Sequence, residues 1–190
     1  MAEGTRAKRL ILHKTVVLVG MMGAGKTAVG RTLAGQLRVP FRDSDHEIEQ
    51  AANMSIAEIF ERDGEPFFRR KETQVIDRLL DATPCVLSTG GGAFMSADNR
   101  TMISKKGVSV WLNADLDVLW ERVRHKDTRP LLRSPDPKGT LKALYDKRVP
   151  TYGLADVIVM SEAQRSLEAM ARIVRETLLE TRPDVLESQT

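Results

Sequence analysis

Gly20-Met-Met-Gly-Ala-Gly25-Lys26-Thr27 matches G-x-x-x-x-G-K-[ST], and it lies between an aliphatic run, Thr15 to Gly20, and a stretch with apolar residues at helical spacing, Val29, Leu33 and Leu37. A strand, a glycine-rich turn and a helix in that order make a phosphate cradle. Glycines let the backbone curl until N–H groups face an anion, and the helix N-terminus adds its positive dipole. Gly23, Ala24, Gly25, Lys26, Thr27 and Ala28 are the expected phosphate contacts, with Lys26 on the β- and γ-phosphates and Thr27 on Mg²⁺.

Further along, Phe41-Arg-Asp43-Ser-Asp45 puts two carboxylates at the end of a second extended piece, where ligands of open α/β sheets bind. One can hold a metal's water shell and the other can accept hydrogen bonds from substrate hydroxyls; helix capping is the alternative use of such a pair. Arg69 belongs to a basic helix start, the wrong end for cations, so an anion or an acidic partner is expected nearby. It is a candidate carboxylate clamp oriented by Glu72, or part of a solvated face. Gly90, Gly91 and Gly92 follow a third strand, where the backbone either approaches a ligand closely or makes a tight turn. Arg129 lies in a long loop from which it can swing over transferring phosphates, and Arg148 lies just before a break expected at Pro150.

These residues need a scaffold, and the rest of the chain supplies a pattern for one. Short aliphatic runs at 85–88, 108–112 and 156–160 alternate with helical stretches near 98–105, 115–124, 140–149 and 166–180. Ser55 with Glu58 forms a capping box for a helix that Asp63-Gly64 stops, and Pro66 opens the next. Alternation of this kind predicts a parallel sheet of five strands with helices on both faces.

Composition narrows the function classes. The 190 residues, 42% hydrophobic and 29% charged, predict one globular domain, and no apolar run is long enough to span a membrane. Residues 1–14 hold Arg6, Lys8, Arg9 and Lys14 against Glu3, which accounts for the whole net charge of +3. The remainder is balanced and aromatics make up 5%, which argues against a nucleic-acid partner. The lone Cys85, flanked by Val86 and Leu87, reads as a buried strand residue of a cytoplasmic protein. The expected organisation is a basic flexible extension over 1–14, a single domain over 15–180 with a substrate region about 43–72 and a lid about 125–139, and a flexible tail over 181–190.

Seven segments in order, the P-loop, F-x-D-x-D, S-I-x-E-I-F, G-E-x-x-F-R-x-x-E, S-T-G-G-G, R-P-L-L and K-R-x-P-x-Y, resemble the shikimate kinase family from about Thr15 to about Leu179. The resemblance implies a three-layer α/β domain of the nucleoside-monophosphate-kinase type, with a mobile lid. It also implies transfer of the γ-phosphoryl group of ATP to the 3-hydroxyl of shikimate, with Mg²⁺, in aromatic amino-acid biosynthesis. On that likeness Lys26, Asp45 and Arg129 are catalytic, Asp43 and Thr27 hold the metal (Asp43 through water), and Asp45, Arg69, Gly90, Gly91, Gly92 and Arg148 bind shikimate. Arg122 or Arg124 stacks on adenine, and a monomer is expected. Family members often carry a proline soon after the last strand, and Met160-Ser-Glu-Ala-Gln has none. A gluconate-type kinase would share the P-loop and the acids without the arginine pair, and a non-catalytic nucleotide-binding module would have lost Lys26, Asp45 or Arg129.

Overall fold

The computed structural model describes residues 9–126 and 133–189. Five parallel strands lie in the order β3, β4, β2, β5, β6, namely Phe41–Asp43, Val86–Ser88, Thr15–Val19, Gly107–Asn113 and Val157–Met160. The central strand β2 pairs Val16 with Val86 on one side and with Val108 on the other. All five of its residues are buried, which is why it reads as an unbroken β-branched and aliphatic run with no alternation.

Parallel neighbours need crossovers, and helices supply them. Helices α1 (Lys26–Leu37) and α7 (Leu167–Thr181) pack on each other, while α3 (Ile56–Asp81) and α4 (Ala97–Lys106) form a second layer with the 3₁₀ turn Ala93–Met95. The core between them includes Leu18, Leu33, Leu87, Ile103 and Leu112, all essentially inaccessible. The five-stranded parallel sheet with flanking helices is the architecture expected from the sequence.

Local signals act as the chemistry requires. The Ser55 hydroxyl accepts from the Glu58 N–H, and the Glu58 carboxylate accepts from the Ser55 N–H at 2.7 Å, closing the capping box of α3. Gly64, at φ 81°, breaks that helix before Pro66, so its second half points Arg69 in a direction of its own. Helix α2 spans Ser44–Ala52, α5 spans Leu116–Val123 and α6 spans Pro137–Tyr152. The break expected at Pro150 does not occur, and α6 continues to a cap at Gly153. A proline late in a helix removes one N–H donor, and tertiary packing of Tyr152 holds the last turn in place.

Within the two ends expected to be flexible, the described residues include a pair of strands: β1 (Arg9–Leu12) pairs antiparallel with β7 (Leu186–Gln189), Leu12 opposite Leu186. Val185 and Leu186 are fully buried, and Leu10 and Leu12 pack on the same core. Lys14 and Arg182 both hold Asp184, at 2.8 Å each, and fix the turn that leads into β7. Each strand is too short to announce itself by periodicity, and each forms because its partner is there.

Candidate active site

The phosphate cradle opens at the carboxyl end of β2. Gly23 and Gly25 adopt φ 82° and 92°, a region that other L-residues rarely enter, and a Cβ on Gly23 would strike Val123 of α5 at 2.7 Å. Lys26, Thr27 and Ala28 form the first turn of α1, where N–H groups lack intrahelical acceptors. Lys26 Nζ donates to the Gly20 and Met21 carbonyls at 2.8 and 2.9 Å. A loop of open amides with a lysine folded across it has the donor set a polyphosphate requires.

Asp43 is shared between fold and function. One carboxylate oxygen caps α2, accepting from the N–H groups of Asp45 and His46 at 3.0 and 3.4 Å, and the other accepts from the Thr27 hydroxyl at 3.2 Å. The Ser88 hydroxyl at the end of β4 is 3.4 Å from Thr27 Oγ1. Three hard oxygen ligands from three elements thus meet beside the phosphate loop, a donor set that suits Mg²⁺ when phosphates complete it. The capping role is thus filled by one oxygen of Asp43, and the other oxygen is left beside Thr27.

The three glycines after β4 each leave room for a different side chain. A Cβ on Gly90 would come within 2.9 Å of Asp45 Oδ1, one on Gly91 within 3.0 Å of Arg148 Nη1, and one on Gly92 within 2.7 Å of Arg69 Nη1. None of the three has a positive φ, so the glycines are required for space and not for an unusual backbone. The aspartate and both arginines expected at the substrate therefore converge on one turn, from α2, α3 and α6.

The electrostatics of this cluster are set by burial. Burial, with the Asp43 charge adding to it, raises Asp45 to about 6, and Lys26 and Arg69 act against that rise. Glu72 has 1% of its side chain exposed and bonds Arg69 Nη1 at 2.8 Å. Burial pushes its carboxyl up, and the Arg69 contact pulls it back. Arg69 also donates to Glu65 through Nε and Nη2, at 3.3 and 3.2 Å. Arg69 at this helix start is thus answered by carboxylates within the chain. These bonds use three of the five guanidinium N–H groups.

Arg122 and Arg124, equivalent by spacing, separate in space. Arg122 Nη1 donates to the Gly23 carbonyl at 3.1 Å and to Ser161 Oγ at 3.3 Å, bracing the phosphate loop against the end of β6. Arg124 pairs with Glu121 on the exposed face of α5. Arg129 lies outside the described residues, as does part of the expected lid. Cys85 is buried beside Thr15 and burial raises its thiol, the opposite of an activated nucleophile. His13, His46 and His125 are exposed. Sequence reasoning did not single out Ser88, whose position at the end of β4 was its signal, or Tyr152, whose hydroxyl donates to the Gly91 carbonyl at 2.5 Å.

Comparison with known proteins agrees with this geometry. A family model described as shikimate kinase matches residues 22–178. The chain is 68% identical over 177 residues to a shikimate kinase of Ruegeria pomeroyi, covering 93% of this chain and 90% of the relative. A solved shikimate kinase from Acinetobacter baumannii in complex with shikimate superposes with a TM-score of 0.83 at 37% identity, covering 89% and 94% of the two chains. A gluconokinase from Sinorhizobium meliloti, at TM-score 0.55 and 17% identity over 90% of this chain and 99% of its own, shares the fold alone. The chain belongs to the shikimate kinase family.

Proposed function

We propose that this chain transfers the γ-phosphoryl group of ATP to the 3-hydroxyl of shikimate, releasing ADP and shikimate 3-phosphate. The observation that carries the reading is the meeting of Asp45, Arg148 and Arg69 over Gly90, Gly91 and Gly92, beside a loop built for phosphates. A carboxylate-bearing polyol fits that cluster: two guanidinium groups face its carboxylate and Asp45 accepts from its hydroxyls. Gluconate is a polyol carboxylate too, and the choice of shikimate over it rests on the family to which the chain belongs.

Phosphoryl transfer depends chiefly on position and charge. The first-turn amides and Lys26 hold the β- and γ-phosphates, and Thr27 with Asp43 (through water) would hold Mg²⁺, which would offset charge on the phosphate oxygens. Asp45, raised to about 6, is ionised at neutral pH and close enough to neutrality to accept the proton of the attacking hydroxyl. Arg122, already against the phosphate loop, is the arginine we assign to the adenine side. Arg129 is assigned to the γ-phosphate on the R-P-L-L motif. We further infer a cytoplasmic monomer without nucleic-acid or membrane partners, supported by the balanced charge outside residues 1–14 and the single buried thiol; no described helix is long and apolar enough to cross a membrane.

The test is ADP release coupled to a visible signal, with shikimate, gluconate and nucleoside monophosphates compared at equal concentration. Turnover with shikimate far above the others, and a 3-phosphorylated product by NMR, is the expected outcome. Efficient turnover of another acceptor with shikimate inert would overturn the reading.

A further inference from the structure

Tyr152 is buried more completely than its hydroxyl would allow without partners. The side chain has 0% exposure, and its ring stacks at 5.9 Å from Trp111 and 6.4 Å from Phe94. A phenylalanine would satisfy that packing, and a buried hydroxyl is costly unless it is hydrogen-bonded. Here the hydroxyl donates to the Gly91 carbonyl at 2.5 Å, and the Arg148 guanidinium, one helical turn back on α6, lies beside the same residue. Gly91 is the meeting point: a Cβ there would be 3.0 Å from Arg148 Nη1 and 3.6 Å from Tyr152 Oη.

We propose that Tyr152 is a positioning residue for the substrate carboxylate: its hydroxyl fixes the Gly91 carbonyl beside the Arg148 guanidinium and so limits the direction in which Arg148 presents its N–H groups. The proposal rests on the reading of Arg148 as a carboxylate ligand. An arginine side chain has several rotatable bonds, and a ligand that must first order it binds more weakly. The ring of Tyr152 is fixed by the core, so its hydroxyl is a fixed point within reach of a mobile guanidinium. Burial pushes the phenol up to about 12, with Arg148 acting against the rise, so at neutral pH it keeps the proton it gives to Gly91.

Tyr152→Phe removes the tie and keeps the ring. Initial rates with shikimate and with its decarboxylated analogue, in the parent and Arg148→Lys backgrounds, separate the possibilities. The expected result is a KM for shikimate raised about tenfold, the usual scale for losing one charge-assisted hydrogen bond. KM for ATP should stay within about twofold, the analogue should be indifferent, and the substitution should be nearly silent beside Arg148→Lys. Tyr152→p-aminophenylalanine, which keeps a para donor, should recover part of the loss. Equal losses for shikimate and the analogue, or a lowered melting temperature with unchanged kinetics, would overturn the proposal. If Arg148→Lys is carboxylate-specific and Tyr152→Phe is not, the tyrosine proposal alone falls; if Arg148→Lys is itself indifferent to the carboxylate, the arginine reading falls and takes the proposal with it.

Discussion

The guanidinium of Arg69 fills the space a side chain at residue 92 would need: a Cβ on Gly92 would lie 2.7 Å from Nη1 and closer still to Nη2. The same guanidinium is anchored by the buried Glu72, so it cannot withdraw without leaving that carboxylate unpaired.

Gly92→Ala should therefore displace Arg69 and act on shikimate while sparing ATP. We expect KM for shikimate to rise tenfold or more, about 1.5–3 kcal/mol if a charged hydrogen bond is lost, with KM for ATP within about twofold. Gly35→Ala is the control, since nothing lies within 4 Å of a Cβ at that position in α1. It should leave kinetics unchanged and stabilise the helix by roughly 0.5–1 kcal/mol. Unaltered shikimate kinetics in a folded Gly92→Ala protein would separate Arg69 from the substrate.

Asp45 should trade stability for activity. Burial raises its carboxyl from 3.8 to about 6, so the folded state favours the protonated form. The stability contributed by that proton is fully present below pH 3.8 and is lost as pH rises through about 6. At neutral pH the folded protein thus carries an ionised group that it disfavours, at a cost of up to about 3 kcal/mol. Asp45→Asn should raise the melting temperature at pH 7.5 and flatten the fall in stability between pH 4 and 6. It should also lower kcat by roughly 10²–10⁴, the usual range for removing a general base. In the parent enzyme, kcat/KM for shikimate should climb with pH through a limb near 6. A flat profile with full activity in Asp45→Asn would exclude it as the base.

The ribbon of chain ends is testable by stability alone. Leu186 is fully buried between β1 and the core, so Leu186→Ala should cost about 2–5 kcal/mol and lower the melting temperature by roughly 5–15 °C. KM for shikimate and for ATP should not move, because the ribbon is remote in the fold from the Gly90–Gly92 turn. An unchanged melting temperature would mean that these strands add nothing to the domain.

The residues assigned to phosphate, metal and substrate were legible as candidates in the chain because each motif is local: a P-loop, an aspartate pair at a strand end and a run of glycines have spacing imposed by backbone geometry over a few residues. The alternating strands and helices were legible for the same reason, since a parallel strand buried on both faces has to be written as a continuous apolar run. Tertiary structure decided whatever depends on partners distant in sequence. Arg122 and Arg124 lie two residues apart, and packing alone turns one toward Gly23 and leaves the other beside Glu121. Gly90, Gly91 and Gly92 announce a close approach but not what approaches, and three side chains from three helices supply the answer. Pro150 predicts a break, yet burial of Tyr152 carries α6 past it and puts the tyrosine one turn from Arg148. The terminal strands are too short to be stable alone, so β1 and β7 exist only because the fold brings residues 9–12 and 186–189 together.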